Sequence, residues 1–152
     1  MNTTKNDVFF VSTLIEKIAR LTKNTRRKIA EVLGIQGIEE QLRLADVNHC
    51  LPMIQAANEV IEQYRIPQGN TDTVGKCKYK VPTANSIGKV YMRLVIKSTH
   101  DPNDYARQIY KVFVSPISDD ISNFNSATYY TSSDQLLCEY EEMQKEIEKQ
   151  AH

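Results

Sequence analysis

The 152-residue chain has few cysteines, no net charge and no long apolar run, and each shortage excludes a class of protein. Cys50, Cys77 and Cys138 lie far apart and are odd in number, whereas a secreted disulfide-stabilised domain carries a denser, even set. No stretch approaches the roughly 18 apolar residues of a transmembrane helix. The N-terminus lacks the apolar segment and the cleavage site of a signal peptide. We therefore expect reduced thiols, a cytoplasmic location and no membrane partner.

Residues for a catalytic or metal site are equally sparse. His49 and Cys50 are the only clustered pair, there is no CxxC or HxxxH spacing, and adjacent residues on a helix point apart. The stretch "GNTDTVGK" has no Ser or Thr after its lysine and no apolar strand before it, so it does not match a phosphate-binding loop. Asp119 and Asp120 follow Pro116, where acids are ordinary residues of a first helical turn. We expect no metal, no cofactor and no enzymatic activity.

What is present is mostly helical periodicity. Apolar residues recur at i, i+3, i+4 and i+7, which predicts an all-α protein of about eight helices. The expected helices cover residues 7–22, 25–33 and 38–46, a fourth from Pro52 to before Pro67, one capped by Thr83, one from Asp101 to Pro116, a short one near Ile121 and Phe124, and a last one opened by a capping box of Ser132 and Gln135.

One segment interrupts this pattern and suggests two small packed helical halves. Residues 67–82, within "IPQGNTDTVGKCKYKVP", are rich in Pro, Gly and polar residues, which is typical of a linker. We expect an N-terminal helical subdomain over residues 1–66 and a C-terminal one over residues 83–152. The "KCKYKV" core of the linker has the alternation of a short extended piece, but it is too short to define a sheet.

The stretch "NTRRKIAEVLGIQGIEEQLRLAD", residues 24–46, resembles a DNA-reading helix-turn-helix. Ala30 and Gly34 have the spacing of that motif, but Glu40 stands where a buried branched residue is needed. Two carboxylates, Glu39 and Glu40, would also face the DNA polyanion. The pattern therefore favours a helical corner in which Ile29, Leu33, Ile38 and Leu42 pack inside.

Charge is balanced overall, with 19 acidic and 19 basic residues, which argues against a dedicated nucleic-acid binder. Its distribution is uneven. Residues 17–28 contain six cations, residues 76–97 contain six cations and no acid, and residues 119–148 contain eight acids and one lysine. The acidic last helix could cover the basic segment, or the segment could be a surface for a charged partner. The residues expected to contact a partner are Arg26, Arg27, Lys76, Lys78, Lys80, Lys89, Arg93, Tyr129 and Tyr130.

The chain also resembles a group of small uncharacterised bacterial all-helical proteins. The similarity runs through "FFVSTLIEKIARLTKNTRRKIAEVLGIQGIEEQLRLADVNHC" and "IPQGN", and continues in "YKVPTANSIGKVYMRLV" and "NSATYY". The N-terminal half is similar to proteins often encoded beside predicted ADP-ribosyltransferase-like toxins. These are packing motifs without a catalytic signature, and the resemblance implies an antitoxin or immunity role.

The leading hypothesis is a non-enzymatic protein–protein interaction module that occludes the active site of a partner, such as a toxin encoded nearby. The alternative is a nucleic-acid-binding regulator that uses the basic clusters 17–28 and 76–97. Assembly into a homo-oligomer is left open by the sequence.

Overall fold

The computed structural model describes residues 3–151, and within that range the chain forms α-helices and no β-strand. The all-α prediction is therefore confirmed. The first expected subdomain begins with residues 1 and 2 and the second ends with residue 152; these three residues lie outside the described range. The helices found in residues 3–151 are α1 (Lys5–Thr22), α2 (Arg26–Asn48), α3 (Met53–Tyr64), α4 (Ala84–Ser98), α5 (Tyr105–Val114), α6 (Ile117–Ser122) and α7 (Ser133–Ala151). Short 3-10 turns occupy Pro102–Asp104 and Thr128–Tyr130.

Helix α1 begins two residues earlier than its apolar pattern predicts. Thr4, rather than Asp7, is the N-cap residue. The Asp7 amide donates to Thr4 Oγ1 at 3.2 Å, and the Thr4 amide donates to Asp7 Oδ2 at 2.9 Å. This reciprocal capping box satisfies two amides that an uncapped helix start would leave without partners.

Helix α2 is bent at Gly34, where the sequence predicts a stop. Gly34 has φ 68° and ψ 173°, a backbone conformation that is almost restricted to glycine. The helix resumes at once with Ile35 rather than at residue 38, so the two expected helices are two arms of one bent element. With this bend, the expected number of about eight helices is close to the seven observed in residues 3–151. The four side chains expected inside the corner are all buried: Ile29, Leu33, Ile38 and Leu42.

Local capping predicts the later helices well. Thr83 caps α4, since the Ser86 amide donates to Thr83 Oγ1 at 3.0 Å. Ser132 accepts from the Gln135 amide at 3.2 Å at the start of α7, but the Gln135 side chain turns to Glu139 instead of completing the capping box. Helix α6 ends before Phe124, which the sequence placed in that helix.

The two predicted halves share one apolar core. Helix α1 packs along α4, and α2 packs along α5, so helices from both sides of the linker are interleaved. Helices α1 and α4 approach closely at Gly88 of α4, where a Cβ atom would overlap the hydroxyl of Thr13 on α1. The absence of a side chain at Gly88 lets α1 and α4 come together at this point.

The segment between α3 and α4 has no helix, as predicted, but it is fixed to the rest of the fold. The Gly69 amide donates to Thr22 O at 2.7 Å, and the Thr71 amide donates to Lys23 O at 2.8 Å. Asn24 Nδ2 donates to Pro67 O at 2.8 Å. The linker therefore lies along the junction of α1 and α2 instead of tethering two separate bodies.

Candidate functional site: a basic surface beside a tyrosine groove

The first basic cluster, residues 17–28, is partly buried, because two of its arginines form ion pairs with a buried glutamate of α1. Glu16 is fully buried. Its carboxylate accepts from Arg20 Nε at 2.7 Å, from Arg26 Nε at 2.8 Å and from Arg26 Nη2 at 2.5 Å. Arg20 Nη2 also donates to Pro82 O at 2.8 Å, which attaches the end of the linker to this cluster. We call Arg20, Glu16 and Arg26 the buried ion triad.

The arginines of the buried ion triad lie over the ring of Phe124. The guanidinium carbons of Arg20 and Arg26 are 5.0 Å and 5.7 Å from the ring centroid, within the range of cation–π attraction. Burial lowers the pKa of Arg26, but the charge of Glu16 and the hydrogen bonds to it raise that pKa by more. Arg26 is therefore a buried cation with a fixed counter-ion.

The prediction that Arg26 contacts a partner is wrong for this fold, because only 1% of the residue is exposed. Arg27 is on the surface, but its Nη2 lies 3.4 Å from Asp119 Oδ2. Of the cations in residues 17–28, Lys23 and Lys28 are exposed and Lys17 is half-buried. The cluster that looked like one basic face in the sequence is thus divided between the interior and the surface.

The second basic cluster stays on the surface. Lys76, Lys78, Lys80, Lys89 and Arg93 are all exposed. Within residues 3–151 none of these five forms an ion pair with a carboxylate. Helix α7 packs on α4, and its Leu136 and Tyr140 are buried. Among residues 3–151, the one ion pair between α7 and the basic segment joins Lys97 Nζ to Asp134 Oδ1 at 2.5 Å. The acidic last helix therefore does not neutralise the basic segment.

The linker part of this segment is held in place by Asn125. The Lys78 amide donates to Asn125 Oδ1 at 2.8 Å, and Asn125 Nδ2 donates to Lys76 O at 3.0 Å. This pairing fixes the backbone of the basic segment next to the loop that leads into Thr128–Tyr130. The side chains of Lys76 and Lys78 remain exposed.

Arg93, Tyr129 and Tyr130 converge on one groove of about 330 Å³, which we call the tyrosine groove. The tyrosine rings meet edge to face with centroids 4.9 Å apart, and Tyr129 meets Phe124 in the same way at 6.0 Å. Tyr130 is 69% exposed, whereas Tyr129 is half-buried. The remaining lining residues come from α4 and from the segment that leads into α7: Ser86, Val90, Thr131, Ser133 and Leu136.

The tyrosine groove combines three kinds of contact. Val90 and Leu136 supply an apolar floor, Arg93 supplies a cation, and Tyr130 supplies a large exposed ring with a hydroxyl. Lys89 lies one helical turn before Arg93 on α4, so both cations occupy the same side of that helix. The groove therefore suits an extended or helical segment that carries both carboxylates and apolar side chains.

The arrangement of His49 and Cys50 differs from the one that the sequence predicts. Helix α2 ends at Asn48, so both residues lie in a turn, and Cys50 Sγ is 3.7 Å from His49 Nε2. The argument that they point apart on a helix is therefore wrong. Within residues 3–151 no three His, Cys, Asp or Glu side chains come together as metal ligands. All three cysteines are free thiols.

Sequence reasoning also missed a cavity of about 600 Å³ between the start of α1 and the corner of α2 and α3. Its lining includes Phe9, Asp46 and His49. These residues are distant in sequence, so no local motif marks them.

No helix in the described part of the chain is both long enough and apolar enough to cross a membrane. No protein-family profile, curated protein or solved structure matches this chain.

Proposed function

We propose that this chain is a non-enzymatic interaction protein of the bacterial cytoplasm that covers an acidic surface of a protein partner, in the manner of an antitoxin or immunity protein. The observation that carries the proposal is the convergence of Arg93, Tyr129 and Tyr130 on one groove beside cations without ion pairs. The resemblance of the N-terminal half to proteins encoded beside toxins gives the kind of partner.

The residue types of the tyrosine groove support tight binding. Tyrosine and arginine are enriched among residues that dominate binding free energy: tyrosine offers a large contact area with two torsions to fix, and arginine offers a planar cation with several hydrogen-bond donors. Arg93 is unpaired in the described structure, so a partner carboxylate would not have to displace an internal one. The exposed lysines of residues 76–89 would accelerate association with an acidic surface and make that association sensitive to salt.

The test uses the product of the neighbouring gene. The two proteins are co-expressed and co-purified, and their affinity is measured by titration calorimetry for the parent chain and for Arg93→Glu and Tyr130→Ala. Each substitution at a binding hot spot is expected to cost about 2 kcal/mol or more, which is about thirtyfold in Kd. Arg107→Glu, an exposed arginine of α5 outside the groove, is the matched control and should leave the affinity within about threefold.

Two results would reject the proposal. A chain that binds no product of its own gene neighbourhood has no such partner. A complex that forms with unchanged affinity after both groove substitutions uses another surface.

Binding of nucleic acid is a second candidate, favoured by one specific observation. Tyr79 is 70% exposed between the exposed Lys78 and Lys80, and an aromatic ring flanked by cations is suited to stack on a base of a single strand. Arg26 is buried instead of exposed. This weakens the candidate, because the first basic cluster does not form one continuous basic surface.

Salt dependence separates the two candidates. If the chain binds single-stranded nucleic acid, the logarithm of the binding constant falls linearly with the logarithm of salt, with a slope of about 0.7 per phosphate contacted. Lys78→Glu combined with Lys80→Glu should then flatten that slope, and Tyr79→Ala should weaken binding at every salt concentration. Affinity that is indifferent to all three changes removes this candidate.

A further inference from the structure

The cavity at the start of α1 has the volume of a small-molecule site. It occupies about 600 Å³, and ligand sites usually measure about 300–1,000 Å³. Helix α1, the corner of α2 and α3, and Asn85 in the first turn of α4 surround it. It shares no lining residue with the tyrosine groove. The two sites can therefore be tested separately.

The walls of the cavity are largely apolar, and two of them are aromatic. Phe10 is 7% exposed and forms part of the core, while Phe9 is half-buried. The other apolar lining residues are Ala45, Leu51 and Met53. A ligand with a flat aromatic or short aliphatic body would bury that body against these side chains and gain the hydrophobic contribution.

The charged groups around the cavity are carboxylates. Asp7 and Asp46 both line it, and among its described lining residues there is no lysine or arginine. Asp7 is only 8% exposed; its Oδ2 accepts from the Thr4 amide, and its Oδ1 has no hydrogen-bond partner within residues 3–151. Asp46 is exposed and makes no ion pair in the described structure.

Two further polar groups sit at the same cavity. His49 Nδ1 lies 3.0 Å from Ala45 O, so this nitrogen carries the proton and donates to the carbonyl. Thr13 also lines the cavity, and its buried hydroxyl has no hydrogen-bond partner in the described chain. The polar edge of the cavity is therefore rich in acceptors and has no fixed cation.

We propose that this cavity binds a small organic amine, with its ammonium group between Asp7 and Asp46 and its apolar body against Phe9 and Phe10. The Asp7 and Asp46 carboxylates and the buried Thr13 hydroxyl, which has no partner in the described chain, are available as acceptors, and an ammonium supplies three donors and a charge opposite to that of the carboxylates. The aromatic faces add cation–π attraction. An anionic ligand would be repelled by both carboxylates, and within residues 3–151 no three His, Cys, Asp or Glu side chains converge as metal ligands.

The experiment compares three probes of similar size and different charge: 2-phenylethylamine, 2-phenylethanol and phenylacetate. Each is titrated into the full chain, and binding is followed through amide chemical shifts in a two-dimensional NMR spectrum. The amine is expected to give saturable shifts confined to residues 4–13 and 45–53. Its Kd should be at least tenfold below that of the alcohol, and the carboxylate should bind more weakly than the alcohol.

A matched pair of variants assigns the effect to the cavity. Asp46→Asn should weaken amine binding at least fivefold and leave binding of the alcohol unchanged, because only the charge is lost. Glu141→Gln removes the same charge from the exposed side of α7 and should change neither Kd. The proposal is overturned if the amine fails to saturate, if it binds no better than the carboxylate, if the shifts lie elsewhere, or if Asp46→Asn has no more effect than Glu141→Gln.

Discussion

Replacing Glu16 by glutamine tests whether the buried ion triad holds the fold together. The carboxylate accepts three hydrogen bonds from two guanidinium groups, and both Glu16 and Arg26 are excluded from water. Glutamine is nearly isosteric, so packing is preserved while the negative charge is lost. Arg26 then becomes a buried cation without a counter-ion, and one carboxylate oxygen is replaced by an amide NH2 group, which can donate but not accept.

The magnitude follows from that unpaired charge. Breaking a buried ion pair by removing one partner costs about 3–5 kcal/mol, a large share of the about 5–15 kcal/mol that stabilises a domain. For a chain of this length each kcal/mol lowers Tm by about 2–4 °C, so Glu16→Gln should lower Tm by about 6–20 °C. Urea unfolding monitored by circular dichroism gives the free energy of unfolding directly.

Two companion variants distinguish the stability cost of losing a buried charge from that of losing an exposed one. Glu40→Gln breaks the ion pair with Arg43 on the exposed side of α2, and it should cost only about 0–1 kcal/mol. Glu16→Leu combined with Arg26→Met replaces both buried charges by apolar groups and should recover most of the loss. The reasoning is refuted if Glu16→Gln is as mild as Glu40→Gln, because the buried guanidinium would then be tolerated without its partner.

Three further predictions concern the backbone, helix packing and alkaline stability. Gly34→Ala should cost about 1–3 kcal/mol in urea unfolding although nothing contacts the added methyl group, because φ is +68°. Gly88→Ala should cost about 1–3 kcal/mol by overpacking against Thr13, and Thr13→Ala in the same chain should recover part of it; a loss unchanged in the double variant would contradict this contact. Burial, and then the charge of Glu16, raises the pKa of Tyr91 well above 10.0, so its contribution to stability is complete below pH 10.0 and is lost as pH rises above that value towards the folded-state pKa. Tyr91→Phe should therefore gain stability relative to the parent above pH 10, as measured by Tm between pH 8 and pH 11.

The helices could be predicted from the sequence because their signals are local. Apolar spacing locates the buried face of α4, Thr83 locates its start, and Gly34 locates the bend in α2. The errors at helix ends are local as well: Thr4 competes with Asp7 as the N-cap, and α6 stops short of Phe124. Such errors arise because two neighbouring residues offer similar caps and tertiary packing selects one.

That the two halves share one core could not be predicted from local sequence signals of this kind. The Pro- and Gly-rich linker is a local signal, and it correctly marks a helix-free segment. Whether that segment separates two cores or crosses one depends on which helix faces meet. The contact of Thr13 with Gly88 shows that α1 completes its burial against α4, across the linker, and no local pattern in either helix specifies this pairing.

The tyrosine groove and the cavity differ in how many of their lining residues could be selected from the sequence. Arg93, Tyr129 and Tyr130 were selected singly, for charge and for ring area, and the fold brings them to one groove. The cavity joins Phe9 to Asp46 and His49, and its residues look ordinary one at a time. A single signal was available at Asp7, an acid on the otherwise apolar stripe of α1, but its capping role explains it equally well.

The two basic clusters show why charge counting alone cannot assign a binding surface. Residues 17–28 and 76–97 each carry six cations, yet Arg20 and Arg26 of the first turn towards one buried carboxylate, while the cations of the second find almost none. The deciding residue is Glu16, which lies on the buried face of α1 between Ile15 and Ile18. Because Glu16 is fully buried and does not cap a helix, its carboxylate needs a cation beside it, since an isolated carboxylate there would be too costly. Arginines close in sequence to such an acid are therefore counter-ions of the interior first, and the cations that remain without an acid, here residues 76–93, are the ones to test against a partner.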